Sequence, residues 1–276
     1  MQGTVVKVIS SSFYVEVNKN IYICTQRGVL KKNKTLPLVG DKVIVDLNKK
    51  VIEKILPRIN EIIRPPVANI TKGIIVTSLK NPDFSTNLLD KLLVELEINK
   101  IKPVICLTKI DLCEMTEDLI NTINYYKKIG YIVLNNTDTD LIKQELKGET
   151  TVFIGQTGAG KSTLLNKLFP SLNLKTGEVS LALGRGRHTT RVVEIIEIDD
   201  MKVLDTPGFS SLSFLSYNLE SVKNAFIEFK NFPCVYKDCN HDKEPECNLK
   251  KAVEENLVLK SRYDNYLNFK KEFERK

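Results

Sequence analysis

The chain has 276 residues, 42% of them hydrophobic, and a formal net charge of +7, so it is long enough for a sizeable core and more than one domain. No apolar run reaches the roughly 18 residues that a membrane-spanning helix needs, and the first residues lack the apolar stretch and cleavage site of a signal peptide. These features argue against a membrane role and predict a soluble, cytoplasmic protein.

The first 66 residues read as short strands that alternate apolar and polar residues and are separated by polar turns. The predicted strands are TVVKVIS (4–10), FYVEVN (13–18), IYICTQ (21–26), DKVIVDL (41–47) and VIEKIL (51–56). This number of strands fits a small all-β barrel of the oligonucleotide-binding (OB) type, and a small SH3-like barrel is the alternative. The sequence RPP at 64–66 then indicates a linker, so we place the first domain at residues 1–66.

The positive charge is concentrated in this first domain. Residues 1–66 contain twelve Lys and Arg against five Asp and Glu, an excess of seven that equals the net charge of the whole chain. The remainder is therefore neutral. A basic module beside a neutral one indicates a polyanionic partner, and we predict that this domain binds nucleic acid; a well-solvated surface is the alternative.

The next region, residues 67–214, alternates apolar strands with segments of helical spacing. Strands are predicted at 73–79, 102–109, 131–136, 150–155, 191–198 and 201–206, and helices at 88–98, 117–130, 140–148 and 161–169. This alternation predicts a mainly parallel sheet covered by helices.

The segment LTKIDL (107–112) ends one of these strands and resembles the guanine-reading motif of GTPases. Asp111 can accept hydrogen bonds from the N1–H and the exocyclic amine of guanine, a pattern that adenine does not offer, and the Lys109 stem can lie over the base. Thr108 stands where Asn is commoner, and its hydroxyl replaces only part of the bonding of an amide. The base-contact loop corresponds to NNTD (135–138), where backbone N–H groups of Asn135 and Asn136 could serve.

The pattern G-x4-G-K-[ST] fits residues 155–162, GQTGAGKS, between a predicted strand and a predicted helix. Glycines let backbone N–H groups curl around phosphates, Lys161 would reach the β- and γ-phosphates, and the Ser162 hydroxyl would ligate Mg²⁺. A chance Gly-rich turn is the alternative. The predicted nucleotide contacts in this phosphate loop and the helix that follows it are Gly155, Gln156, Thr157, Gly158, Ala159, Gly160, Lys161, Ser162 and Thr163.

Two further motifs occupy positions expected for the switch segments of a GTPase. GRGRHTTR (184–191) contains a threonine, Thr189 or Thr190, that could ligate Mg²⁺ and sense the γ-phosphate. DTPG (205–208) ends a strand, so that Asp205 would hold Mg²⁺ through water and the N–H of Gly208 would face the γ-phosphate.

The catalytic water has no obvious orienting group. Phe209 stands where many GTPases place a Gln, which predicts slow intrinsic turnover that needs help from a partner or from another residue. His188 is the candidate, because imidazole can orient water or accept its proton. The alternative is that His188 only positions its loop or touches RNA. Lys161 and Thr190 complete the predicted catalytic set.

The last region, residues 215–276, has helical spacing at 219–232 and 252–276, with a cysteine cluster between them. CVYKDCNHDKEPEC (234–247) spells C-x4-C-x-H-x5-C. Ligands of this type in this spacing suit one structural, tetrahedral Zn²⁺ per chain, and a set of free thiols is the alternative. The predicted zinc ligands are Cys234, Cys239, His241 and Cys247. Cys24, Cys106 and Cys113 are expected to be buried thiols.

The order of the motifs is informative, because the guanine motif precedes the phosphate loop and in ordinary small GTPases it follows. An ordinary GTPase started at its fourth strand would show the motifs in the order found here. The fold class predicted is therefore multidomain: an OB-type barrel, a circularly permuted α/β P-loop GTPase domain and a helical zinc-binding domain.

The permutation, GRGRHTT and the cysteine cluster make nearly the whole chain resemble the circularly permuted GTPases of the RsgA type. The resemblance implies an enzyme that binds GTP or GDP with Mg²⁺, contains zinc, contacts the small ribosomal subunit and its RNA, and acts late in subunit assembly. We expect a monomer with no membrane or DNA partner. The alternatives are an RNA-binding assembly factor for which GTP is a placement signal with negligible turnover, and an ATPase, against which Asp111 argues.

Overall fold

The computed structural model describes residues 1–28, 35–62, 66–174, 193–205, 214–236 and 238–274. The first strands are Gln2–Ile9 (β1), Ser12–Val17 (β2), Asn20–Gln26 (β3), Lys42–Asp46 (β4) and Val51–Ile55 (β5). They close into a barrel in the order β1-β2-β3-β5-β4, in which β3 and β5 run parallel. Because side chains alternate across each strand, every second residue fills the interior, as the fully buried Val5, Val15 and Val43 show. The predicted OB-type barrel is confirmed.

The junction after the barrel carries structure that the sequence did not predict. Glu61–Ile62 (β6) and Val67–Ala68 (β7) form a short antiparallel pair. Both carboxylate oxygens of Asp41 accept hydrogen bonds of 2.8 Å from the Arg58 guanidinium. Gly40 adopts φ 95°, and a Cβ there would lie 1.9 Å from the Ala68 carbonyl oxygen, so the barrel and the junction approach each other as closely as glycine allows.

The central region is a sheet whose order is β10-β9-β8-β11-β13-β12, with parallel pairing everywhere except between β12 and β13. Its strands are Lys72–Ser78 (β8), Lys102–Thr108 (β9), Ile132–Asn135 (β10), Thr150–Ile154 (β11), Ile195–Ile198 (β12) and Met201–Asp205 (β13). The prediction of a mainly parallel sheet is confirmed. The predicted strand at 191–198 begins later, at Ile195, and residues 191–192 lie outside the described part.

Helices cover both faces of this sheet: Thr86–Ile98 (α1), Glu117–Lys128 (α2), Thr139–Leu146 (α3) and Lys161–Leu168 (α4). The first two begin where a hydroxyl caps the helix, since Ser85 accepts from the N–H of Leu88 and Thr116 accepts from that of Leu119. One apolar cluster lies on each face of the sheet, and alternate residues of a strand divide between them, as Ile75 and Val76 do.

The C-terminal region is helical, with its own apolar core around Phe226 and Tyr266. Its helices are Leu219–Asn224 (α5), Asn248–Glu254 (α6) and Lys260–Glu274 (α7). Two predictions of continuous helices were wrong. The first helix ends at Asn224, and a short 3-10 turn, Phe229–Asn231, follows it. The second is broken at Asn256, which has φ 56°, and the N–H of Leu257 bonds to the Ala252 carbonyl.

A buried ionic network joins this helical region to the sheet domain. Arg262 of α7 donates to Asp90 of α1 at 2.7 Å and to both oxygens of Glu228 at 2.7 and 2.8 Å. Tyr126 of α2 and Asn265 of α7 also donate to Asp90. Arg262 and Asp90 are 0% exposed. Burial alone would lower the pKa of Arg262, but Asp90 and Glu228 raise it, so the guanidinium stays charged.

The isolated cysteines differ in their surroundings. Cys24 and Cys106 are buried as expected, and burial raises the pKa of the Cys106 thiol to about 12. Cys113 is only half-buried, so the expectation of a buried thiol was wrong there. Within the described ranges, no helix combines the length and the apolar character needed to cross a membrane.

Candidate nucleotide site and metal centre

The nucleotide motifs meet at one edge of the sheet. The phosphate loop follows β11, Thr108 ends β9, and Asp205 ends β13. These strands run parallel, so their carboxyl ends lie at the same edge, and β11 lies between β8 and β13, strands that are far apart in the chain. Open α/β sheets bind ligands in the crevice at the carboxyl ends of their strands, where neighbouring strands come from distant parts of the chain.

The backbone of the phosphate loop adopts conformations that residues other than glycine rarely adopt. Gly155, Gly158 and Gly160 adopt φ values of 147°, 80° and 94°. A Cβ at Gly155 would lie 2.1 Å from the Val76 carbonyl oxygen, so this glycine allows the loop to lie against β8. The Lys161 ammonium folds back over the loop and donates to the carbonyl oxygens of Gly155 at 2.7 Å and Gln156 at 3.0 Å. The loop therefore has the form that the motif predicts, with its lysine held over it.

Most other predicted contacts of this loop lie where a ligand could reach them. Gln156, Thr157 and Gly158 are exposed, and Thr163 is exposed on the first turn of α4. Ala159 is the exception, because it is fully buried and its N–H donates to the Gln156 carbonyl oxygen at 3.1 Å.

Thr108 connects the guanine motif to the phosphate loop. Its side chain is buried, and its hydroxyl donates to the Ala159 carbonyl oxygen at 2.6 Å, with the Thr77 carbonyl oxygen 3.4 Å away. The sequence indicated that the Thr108 hydroxyl would replace only part of the hydrogen bonding of the Asn amide that is commoner at this position. In the structure the hydroxyl makes a short bond to the phosphate loop, so it joins the two halves of the candidate nucleotide site.

Lys109 and Asp111 follow at the surface. Lys109 adopts φ 55°, and its ammonium donates to the carbonyl oxygen of Asn81. Asp111 is exposed on the 3-10 turn Ile110–Leu112. Asn81 belongs to the loop after β8, and Pro82 of that loop faces Gly158. Sequence reasoning missed this loop, because it contains no nucleotide motif and reaches the site only through the order of the strands.

The loop at 135–138 is held by its own backbone. The N–H of Asn135 donates to the Asp138 carboxylate at 2.8 Å, and the N–H of Asn136 donates to the Leu107 carbonyl at 2.8 Å. These two N–H groups are therefore engaged. The N–H of Thr137 has no acceptor in the described part of the chain, which makes it the better candidate for contact with a base. Lys167 of α4 donates to the Asn136 carbonyl at 3.1 Å and ties the loop to the phosphate-loop helix.

The candidate Mg²⁺ ligands are described only in part. Ser162 lies half-buried on the first turn of α4, directly after the phosphate loop. The backbone of Asp205 pairs with Phe153 at the end of β13. The side chain of Asp205, together with His188, Thr189, Thr190, Gly208 and Phe209, lies outside the described residues.

The predicted zinc ligands converge. The ligand atoms of Cys234, Cys239, His241 and Cys247 all lie within 4.8 Å of one another. The His241 Nδ1 lies 3.3 to 3.5 Å from the three sulfurs, and the Cys234 and Cys247 sulfurs are 3.7 Å apart. Zn–S and Zn–N bonds of about 2.3 and 2.0 Å at tetrahedral angles place the ligand atoms about 3.5 to 3.8 Å apart. The four side chains thus fit a tetrahedral Zn²⁺.

The loop that carries these ligands is braced from outside. Tyr263 and Tyr266 of α7 donate to the carbonyl oxygens of His241 at 2.7 Å and Asn240 at 2.8 Å. The Glu244 carboxylate accepts the backbone N–H groups of Asn240 and Asp242. These hydrogen bonds lower the pKa of Glu244 to about 2, although its partial burial raises it. Such supports orient metal ligands, and the sequence pattern of the cluster does not indicate them.

Comparison with known proteins agrees with this geometry. The family model described as RsgA GTPase matches residues 55–215, and the RsgA N-terminal domain model matches residues 2–51. The small ribosomal subunit biogenesis GTPase RsgA of Bacillus cereus is 43% identical over 98% of this chain and 97% of its own length. That of Streptococcus pneumoniae is 42% identical over 99% of this chain and 95% of its own length.

Solved structures give the same result. YjeQ from Thermotoga maritima superposes with a TM-score of 0.81 at 32% identity and covers 99% of this chain and 97% of its own. YloQ, described as a circularly permuted GTPase, superposes with a TM-score of 0.79 at 37% identity and covers 100% of this chain and 96% of its own.

Proposed function

The chain belongs to the RsgA family of circularly permuted GTPases and is a GTP hydrolase, and we propose that it acts in late assembly of the small ribosomal subunit. We further propose that the subunit stimulates its hydrolysis of GTP. The observation that carries the assembly role is the similarity, over nearly the whole chain, to relatives named small ribosomal subunit biogenesis GTPase RsgA. The bond between Thr108 and the Ala159 carbonyl supports the nucleotide site, because it joins the guanine motif to the phosphate loop. We also propose that the protein acts in the cytoplasm and as a monomer.

The chain's own groups account for binding and orientation of the nucleotide. Backbone N–H groups of the phosphate loop, at the N-terminus of α4, would face a bound phosphate, and Lys161 would exchange its two carbonyl partners for phosphate oxygens. Asp111 and the N–H of Thr137 would read guanine. Ser162 and Thr190 would hold Mg²⁺ directly and Asp205 would hold it through water, and the ion would supply positive charge that offsets the charge of the phosphates.

The barrel supplies the proposed RNA contacts. Several of its basic side chains are already engaged, since Lys7 pairs with Glu194 and Arg58 with Asp41. Others are exposed and have no acidic partner within the described ranges: Lys19, Arg27, Lys50 and Lys54. We assign the contact with ribosomal RNA to this second set. Such contacts release counterions, so affinity for the subunit should fall as salt rises.

The deciding experiment measures phosphate release from GTP with and without purified small subunits, with Lys161→Ala as the matched control. The expected result is strong stimulation by the subunit that is absent in the control. Large subunits serve as the second control, because they offer ribosomal RNA of a different shape. GTP-dependent subunit binding without stimulation would instead favour the placement-signal alternative, in which another factor triggers release.

A further inference from the structure

The base-contact loop at 135–138 engages its backbone donors and leaves one of them open. The N–H of Asn135 donates to the Asp138 carboxylate at 2.8 Å. That of Asn136 donates to the Leu107 carbonyl oxygen at 2.8 Å, and the N–H groups at positions 138 and 139 bond to carbonyl oxygens of the same loop. Thr137 is exposed, and its N–H has no acceptor in the described part of the chain. The loop therefore presents a single free backbone donor to a ligand.

This free donor lies beside the guanine motif. β10 pairs with β9 in parallel, with Asn135 opposite Leu107, so Thr137 and Lys109 each follow this pair by two residues at the same edge of the sheet. Neighbouring strands lie about 4.8 Å apart, so the loop and the motif start close enough to contact one base. Asp111 would accept from the N1–H and the amine of guanine. The remaining polar group of that edge is the O6 acceptor, which suits the Thr137 N–H.

Lys167 holds the peptide group that carries this donor. Its ammonium donates to the Asn136 carbonyl oxygen at 3.1 Å. That carbonyl and the Thr137 N–H belong to the same peptide group, which is planar and trans, so the two point in opposite directions. Fixing the carbonyl therefore fixes the direction of the N–H. A cation bonded to the carbonyl oxygen also polarises the amide, which makes its N–H a stronger donor.

The position of Lys167 on α4 links this peptide group to the phosphate loop. Lys167 follows Lys161 by six residues on the same helix, a distance of about 9 Å along the axis. A lysine in the last turn of a helix commonly bonds the carbonyls of its own helix, but the acceptor here lies 31 residues earlier in the chain. Leu165 of α4 and Ile142 of α3, the helix after the base-contact loop, share one apolar cluster. One helix thus contacts both the phosphate loop and the base-contact loop.

We propose that Lys167 is a positioning residue for guanine recognition, which holds the Asn136 carbonyl and so aims the Thr137 N–H at the O6 of guanine. Adenine carries an amine donor at the corresponding position, so a fixed N–H donor there opposes adenine. The inference rests on the proposed function, in which Asp111 and the Thr137 N–H read the base. It assigns part of the base specificity to the helix that also carries the phosphate-binding lysine.

The test measures the affinities of the wild type and of Lys167→Met for GDP, 6-thio-GDP and ADP, each in competition with a fluorescent GDP, and thermal melting verifies the fold. 6-Thio-GDP keeps the two groups that Asp111 would read but has sulfur, a weak acceptor, in place of O6. Lys167 is exposed, so the expected effect is that of one ordinary hydrogen bond. Lys167→Met should therefore weaken GDP binding by about 2- to 10-fold. The loss for 6-thio-GDP should be clearly smaller, because this nucleotide makes little use of the Thr137 N–H.

Lys143→Met is the matched control, because Lys143 is an exposed lysine of α3, the helix that follows the base-contact loop. It should bind all three nucleotides as the wild type does. The inference is overturned if Lys167→Met binds GDP as the wild type does, if GDP and 6-thio-GDP lose affinity equally, or if Lys143→Met shows the same loss. A wild type that does not prefer GDP to ADP would instead overturn the guanine-reading role, and this inference with it. The assembly role has its own test in phosphate release with small subunits.

Discussion

Replacing Thr108 with valine tests whether the link between guanine motif and phosphate loop matters for nucleotide binding. Valine has nearly the shape of threonine but lacks the hydroxyl, so the change removes the 2.6 Å bond to the Ala159 carbonyl and little else. Ala159 is fully buried, so water cannot readily replace the lost donor. The phosphate loop then loses a support beneath the position that the phosphates would occupy.

The structure sets the size of the effect. A buried carbonyl left without its donor costs about 1–3 kcal/mol. If the nucleotide must restore the loop on binding, that cost weakens affinity by up to about 5- to 150-fold, since each 1.4 kcal/mol is tenfold. The contact touches the loop and not the γ-phosphate, so GTP and GDP should weaken equally, and turnover at saturating GTP should change little.

Equilibrium titration with a fluorescent GDP, repeated with GTP in competition, measures both affinities. Thr108→Ser is the matched control, because it keeps the hydroxyl and loses only a methyl group, and it should bind nearly as wild type. Unchanged affinity in Thr108→Val would refute the reasoning. Equal losses in the serine and valine variants would show that the methyl group's packing, and not the hydrogen bond, is what matters.

Three further predictions follow from the same structure. Arg262→Met leaves two buried carboxylates without their cation and should lower the free energy of unfolding in denaturant by about 3–5 kcal/mol. The control Lys260→Met breaks an exposed ion pair and should cost less than about 1 kcal/mol. Similar losses for both variants would contradict the buried network. Asp111→Asn should lower the affinity for GDP on the order of 100-fold and favour xanthine nucleotides, because an amide N–H can donate to the xanthine carbonyl. An unchanged base preference in competition binding would show that Asp111 does not contact the base. Elemental analysis should find about one zinc per chain. Cys247→Ser or chelation should remove hydrogen-exchange protection around residues 234–254 while the barrel stays protected. A metal-free protein that keeps full protection there would exclude a structural zinc.

Some features required the structure because their partners are distant in the sequence. Thr108 and Ala159 are 51 residues apart, and Lys7 and Glu194 are 187 apart. The fully buried Arg262 lies in a segment whose composition, KSRYDNYLNFKKEFE, reads as a solvated helix, and it is buried because Asp90 comes from 172 residues away. The two helix breaks were missed for a related reason. Helical spacing of apolar residues continues past Asn224 and Asn256, and local turns decide where the helices end.

The sequence by itself determined the type and order of the domains apart from the kind of barrel, the permuted order of the nucleotide motifs and the convergence of the zinc ligands. Each of these depends on short contiguous patterns, in which residue type and spacing follow from the chemistry of phosphate, guanine or metal. Only the tertiary structure decided how the domains are joined, which backbone N–H of the base-contact loop remains open, and what Thr108 bonds to. Those contacts form between segments that the strand order brings together, and no local pattern encodes a distance between them.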